Sequence, residues 1–200
     1  MMAGERSKPG LIESILELEL AMFLSVPTAQ KYTCQEHPDA FRLHRRAQFS
    51  AWSADTLASY LRDLETAISD GENLMTSKYA RMDNLIPRLN ANPLIDEIAS
   101  HQCTWQREMF RKYPCLMRGG RPLSSTEDSA FLTSFETYLR CELETYSDAT
   151  LSLLHSDIMV RAAQGLSMTE QIYMTLVQER GYNSLEDAEE TARNSTSHSR

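Results

Sequence analysis

The sequence predicts an all-α protein, a single-domain helical bundle of about five to six helices. Three observations carry this. The 200 residues contain only seven Gly and seven Pro, while Leu, Met, Ala, Glu and Arg, all good helix formers, are plentiful. Apolar residues recur at spacings of three and four, and no segment alternates with period two over the length of a strand. At 42% apolar and 24% charged, a chain of this size hides roughly 70% of its unfolded surface, enough for one core.

Residues 1–10 read as an N-terminal extension, 11–190 as the domain and 191–200 as a disordered polar tail. Within the domain, helical periodicity marks 11–26, then 39–69, then 93–112, then a long helix from 127 or 133 to 163, then 169–180, with a short helix from 185. Helix ends carry their own signals. Ser167 with Glu170 forms a capping box, Gly181 suits the left-handed position after a helix, and Ser184 with Asp187 starts the last one. The stretches 27–38, 70–92 and 113–126 lack periodicity and read as loops, the last holding two prolines and a Gly-Gly pair.

The formal net charge of −8 opposes the phosphate neutralisation on which nucleic-acid binding depends, and the basic clusters are limited to 44–46 and 111–112, so no nucleic-acid partner is expected. No run of eighteen apolar residues exists, and the first apolar stretch carries Glu13, Glu17 and Glu19 where a signal peptide needs an uncharged segment. Neither end shows a lipidation signal. A cytoplasmic protein without a membrane partner is the expectation, and a homodimer is compatible with it. The four cysteines, Cys34, Cys103, Cys115 and Cys141, form no CxxC pair and read as reduced packing residues, Cys34 being the best candidate for a reactive thiol.

Functional signals lie in charges written onto apolar faces. At 100° per residue, the apolar arc of the first helix passes through Leu11, Met22, Ile15, Val26, Ile12, Phe23 and Leu16, and Glu19 falls in its middle, with Glu13 and Glu17 outside. A carboxylate so placed must be paired, hydrogen-bonded or protonated, because an ionised group stranded in an apolar medium costs more than a domain can spare. The stretch TSFETYLRCELETYSDATLSLL, 133–154, repeats the pattern. Its arc holds Phe131, Phe135, Tyr138, Leu139, Leu143, Tyr146, Leu153 and Leu154, with Glu142 among them and Glu136 at the border beside Arg140. Glu136 has two readings, a site residue or the far end of a capping box begun by Thr133. Glu142 has no capping role and lies four residues from both Tyr138 and Tyr146, whose hydroxyls can donate to it.

The second helix offers a cation. Its arc of Phe49, Tyr60, Leu64, Leu57, Ile68, Leu43 and Leu61 includes Arg46, while Phe41, Gln48 and Trp52 form another face with Arg45. If the core is single, Glu19, Glu142 and Arg46 sit on helices that pack together, and polar groups converging amid aromatics describe a small-molecule pocket. In the loop RGGRPLSSTEDS, Arg118 and Arg121 can hold a carboxylate, although an ordinary linker with a capping serine explains it as well. Lys78 and Tyr79 can reach a site from ENLMTSKYARM. No metal and no organic cofactor is expected. The Glu-x-x-His spacing of a di-iron bundle does not occur, Glu97 and His101 being four apart, His37, His44, His155 and His198 are scattered, and no Walker, Rossmann, GxSxG or HExxH motif is present.

Through TSFETYLRCELETYS, GRPLSSTEDS, ENLMTSKYARM and AQFSAW, the sequence resembles an uncharacterised family catalogued as domain of unknown function 4125, over most of residues 11–190. The family pattern reads close to T-S-F-E-T-Y-L-R-G-E-L-x-T-Y-S, matched from Thr133 to Ser147, with Cys141 where the pattern has Gly. The resemblance implies a helical cytosolic protein and names no reaction.

Two functions remain open. One is a small-molecule enzyme with an interhelical polar pocket, of lyase, dehydratase, isomerase or cyclase type, acting on an amino-acid-like or carboxylate substrate. Glu142 or Glu136 would serve as base or acid, Tyr138 or Tyr146 as partner acid, Arg140, Arg121 and Arg46 as anion holders, and Glu19, Gln48, Trp52 and Tyr79 as further lining. The other is a non-catalytic ligand-binding or protein-interaction protein in which the same charges form a buried structural network. Direct, fully satisfied ion pairs favour the second, and a polar void touching Glu142 and Arg140 favours the first.

Overall fold

A computed structural model describes residues 7–27, 38–129 and 132–197. Cys34, His37, Phe131 and His198 lie outside the described residues. All-α holds, but the described residues form nine α-helices rather than five to six: α1 Lys8–Leu24, α2 Pro38–Ser50, α3 Ala54–Ser69, α4 Leu74–Met82, α5 Leu94–Lys112, α6 Phe135–Leu143, α7 Asp148–Ala163, α8 Met168–Glu179 and α9 Leu185–Ser197.

The extra helices arise where a polar side chain interrupts a continuous apolar rhythm. The stretch 39–69 breaks at Ser53, which has extended backbone and whose Oγ accepts from the Thr56 amide at 3.2 Å. Asp157 of α7 fixes that break by accepting from the Ser53 amide and the Thr56 hydroxyl, at 2.8 and 2.7 Å. The long helix to 163 breaks at Ser147, whose Oγ caps Thr150 while its amide donates to Asp63 at 3.1 Å. The supposed loop 70–92 contains α4, begun by Asn73 capping Thr76 at 2.9 Å. Each cap is worth about 1 kcal/mol and redirects the chain. The first helix starts at Lys8, with Pro9 in its first turn. The last continues to Ser197, into the stretch whose composition reads as a tail. Gly181 takes the expected left-handed backbone, φ 87°.

Helices α1 and α3 pack side by side, joined by Tyr60 to Glu19, and Asn73, the cap of α4, donates to the Met22 carbonyl near the end of α1. Helix α7 runs antiparallel to α3, as the pairs Ser53–Asp157, Ser59–Thr150 and Asp63–Ser147 require. Helix α2 packs on α1 and α8, α5 on α6, α7 and α8, and the short α4 bridges α1 and α6. One main core results, with Ile15, Leu16, Phe49, Leu57, Leu64, Ile98, Leu151 and Ile158 at its centre. A smaller cluster of Met109, Tyr113, Met117, Val177, Leu185 and Ala188 fastens α9 to α5 and α8. Among the described residues no helix is long and apolar enough to cross a membrane.

Candidate functional site

Four helices deliver polar side chains to one point of the main core. Glu19 of α1 is fully buried, and Arg45 of α2, Lys78 of α4 and Glu142 of α6 are each at most 5% exposed. Arg45 is the hub. Its Nε donates to Glu19 Oε2 at 2.7 Å, its Nη2 to Glu19 Oε1, and its Nη1 to Glu142 Oε1 at 2.7 Å and Gln48 Oε1 at 2.8 Å. Lys78 donates to Glu142 Oε2 at 2.5 Å. Two tyrosines complete the carboxylates: Tyr60 donates to Glu19 at 2.6 Å and Tyr146 to Glu142 at 2.7 Å.

Aromatic rings enclose this cluster. Trp52 meets Phe49, Tyr60 and Tyr146 edge to face, and the Tyr60 and Tyr146 centroids lie 4.7 Å apart. The Arg45 guanidinium lies 4.7 Å from the Phe49 ring centre and the Lys78 ammonium 3.5 Å from that of Tyr138. Cations on ring faces in a dry interior gain from the ring quadrupole. Among the described residues no buried side-chain nitrogen or oxygen lacks a hydrogen-bond partner.

Electrostatics follows from this packing. Burial pushes the Glu142 carboxyl up, but Arg45 and Lys78, with hydrogen bonds from Lys78 and Tyr146, outweigh it and hold the group well below the usual carboxylate range. Burial and the Glu19 carboxylate push the Tyr60 hydroxyl well up, and burial with Glu142 does the same to Tyr146. Arg45 is driven further into its charged form by Glu142 and Glu19 despite the cost of burial. Glu142 is thus a weak base and the tyrosines are weak acids.

The structure brings together Glu19, Gln48, Trp52, Glu142 and Tyr146, and sets Tyr138 at the edge through Lys78. It does not bring Arg46 in. That side chain is 48% exposed and pairs with Glu13 at 2.9 Å, and its neighbour Arg45 turns inward instead. Arg140 lies nearer the surface, paired with Asp96 and Glu136. Arg121 is exposed, donates to the Thr133 carbonyl at 3.0 Å and stacks over Tyr138 at 4.7 Å. Tyr79 packs near Phe23, with ring centres 6.4 Å apart, and its ring centre lies 5.9 Å from the Lys78 ammonium. Glu136 does not close a capping box with Thr133. Ser134 caps the helix, and Glu136 accepts from the Ser125 amide at 3.0 Å, which holds its carboxyl below the ordinary range. Glu97 pairs with His155 at 3.0 Å rather than with His101. No three His, Cys, Asp or Glu among the described residues gather as metal ligands.

The model of a family described as a protein of unknown function (DUF4125) matches residues 9–190. The chain belongs to this family. No curated protein and no solved structure matches it. The stretch that carries the DUF4125 resemblance acquires a physical account here, because nearly every polar residue in it makes a bond that holds the chain. Ser134 caps α6 and donates its amide to Asp128 at 2.6 Å, and the Thr137 hydroxyl also donates to Asp128. Glu136 and Arg140 tie α6 to the 125 turn and to α5, Thr145 donates to the Glu142 carbonyl at 2.7 Å, and Ser147 caps α7. Cys141, where the DUF4125 pattern has Gly, is buried at 4% exposure, and its thiol is pushed up to about 11 by burial and by Glu144.

Sequence reasoning named Lys78 as able to reach a site without giving it a partner, and it missed Arg45 as the hub, Tyr60 as a donor, and Asp128 and Glu144 as anchors. Glu144 is buried too, accepting from Arg81 Nε at 2.8 Å and the Leu89 amide at 3.2 Å. A signal for Lys78 existed, since Met75 lies three residues before it on the same helix face and is buried with it.

Proposed function

We propose that this DUF4125 protein is a non-catalytic helical binding protein whose buried charges fix the arrangement of four helices. The carrying observation is saturation. Both oxygens of Glu19 and both of Glu142 are taken by Arg45, Lys78, Tyr60 and Tyr146. A substrate atom must compete there with a charged partner on every carboxylate oxygen, and a carboxylate held far below neutrality removes protons poorly. Two anions opposed by two cations, with no buried side-chain nitrogen or oxygen among the described residues left without a partner, is the condition under which a buried ionic cluster is tolerable and confers a unique packing.

The second reading, an acid-base enzyme for an amino-acid-like or carboxylate metabolite, draws on the convergence of Glu142, Lys78 and two tyrosines. It requires a substrate to displace one of the Arg45 or Lys78 bonds. The two separate by mass spectrometry. Purified wild type and Glu142→Gln protein are incubated with a cell metabolite extract, and the binding-protein reading expects the same metabolite profile from both. A compound consumed by the wild type and spared by the folded variant overturns it.

A further inference from the structure

Helix α9 is held to the rest of the chain by a small apolar area and one polar grip. Among its described side chains, Leu185, Ala188 and Glu189 are the buried ones, at 1, 2 and 5% exposure, and their i, i+3, i+4 spacing puts them on one face. A polar helix of 13 residues is marginal in water by itself, so docking keeps α9 folded. Residues 180–184 connect it to α8, and Gly181, with φ 87°, turns the chain there.

The surface beneath α9 has a definite chemistry. Leu185 and Ala188 pack in one cluster with Met109, Tyr113, Met117 and Val177, each of them buried. At the edge of this apolar floor, the Glu189 carboxylate accepts from two successive backbone amides, Cys115 at 3.2 Å and Leu116 at 2.7 Å. Arg193 of α9 donates to the same carboxylate at 3.3 Å, and Glu186, one turn earlier, accepts from the Tyr113 hydroxyl at 2.6 Å. Adjacent amides aimed at one point make an anion site, and hydrogen bonds to an ionised acceptor are about twice as strong as neutral ones.

We infer that α9 is a detachable strap, an acidic helix docked in cis on a carboxylate-receiving groove, which leaves and rebinds as one unit while the main core stays folded. Few buried apolar contacts place a segment at the low end of local stability. The strap uses the smaller apolar cluster and the buried charges use the main core, so this inference and the binding-protein reading fail separately. The groove selects its occupant by chemistry. An aliphatic side chain packs with Met109, Tyr113 and Val177, and a carboxylate one turn later on the same helix reaches the Cys115 and Leu116 amides, as Leu185 and Glu189 do. While α9 sits there, the groove is closed to every other helix of that pattern.

The test is hydrogen exchange followed by NMR on the full chain. The interior amides of α9 and those of Cys115 and Leu116 are expected to exchange through one common opening, roughly tenfold or more faster than the amides of α1 and α3. Glu189→Gln keeps the shape of the side chain and removes its charge, so exchange of that set should rise roughly tenfold with α1 and α3 unchanged. In trans, a fluorescent peptide of residues 183–195 is titrated into full-length Leu185→Ser protein, whose own strap is loosened. It should bind this variant more tightly than the wild type, where α9 competes, and the same peptide carrying Glu189→Gln should bind roughly tenfold more weakly. If Leu185→Ser does not fold, exchange in the wild type and in Glu189→Gln decides. Three results overturn the proposal: α9 exchanging only together with α1 and α3, α9 opening while Cys115 and Leu116 stay protected, or a peptide that binds the folded variant no more tightly than the wild type or regardless of its own glutamate.

Discussion

Arg45 Nη1 donates to Glu142 Oε1 at 2.7 Å across 97 residues of chain, and this bond locks α2 to α6 in the interior. Removing the arginine leaves Glu19 without any cation and Glu142 with Lys78 alone. Arg45→Met is therefore expected to cost about 3–5 kcal/mol of stability, read by urea unfolding. Removing both partners is expected to cost less than the sum. A double-mutant cycle of Arg45→Met with Glu19→Leu should show coupling of about 1 kcal/mol or more, and additivity within error would deny the network.

Arg46→Ala provides the contrast. Its guanidinium is half exposed and pairs with a Glu13 that is itself 44% exposed, so water screens the pair. The loss expected is below about 1 kcal/mol, and a loss matching that of Arg45→Met would mean the hub is misassigned.

The difference between these two arginines marks what the sequence could reveal. Glu19 and Glu142 were legible as buried carboxylates because each lies within a helix whose phase is set by many apolar neighbours. Arg46 faces them only on a wheel that runs residues 39–69 as one helix. The break at Ala51–Ser53 resets the rotation between Arg46 and Tyr60, so one wheel cannot hold both. That break depends on Asp157, about a hundred residues away, and no local window contains it. The Gln48, Trp52 and Arg45 face, the one that points inward, was visible as a separate stripe without a sign to rank it. Glu144 was hidden for a different reason, since it serves a loop and no periodicity governs loops.

Stability should depend on pH in a manner set by Glu142 and the two tyrosines. The folded Glu142 carboxyl sits below its unfolded value, so its contribution is complete above about pH 4.3 and is lost as pH falls, the unfolded chain taking up a proton that the native state refuses. Tyr60 and Tyr146 are raised, so their contribution is complete below about pH 10 and is lost as pH rises, the unfolded chain releasing protons that the native state keeps. Unfolding midpoints of Glu142→Gln should fall less steeply into acid than those of the wild type. Identical acid slopes would contradict the assignment.

Glu144→Ala removes the acceptor for Arg81 Nε and the Leu89 amide, two part-buried donors, at a cost of about 1 kcal/mol. Hydrogen exchange followed by mass spectrometry should show lost protection over 83–92 with protection of α1 and α3 retained. Unchanged exchange at Leu89 would show that the loop is fixed by other contacts.

The account depends most on Glu142 being an ion held between Arg45 and Lys78. Carbon-13 NMR of the glutamate side-chain carboxyls, with Glu142 assigned through Glu142→Gln, reads this directly. The Glu142 signal is expected to stay at its ionised position from pH ~7 down to pH ~3, below the ordinary glutamate value of ~4.3. A midpoint for Glu142 near neutrality, as a general acid or base would show, would contradict it.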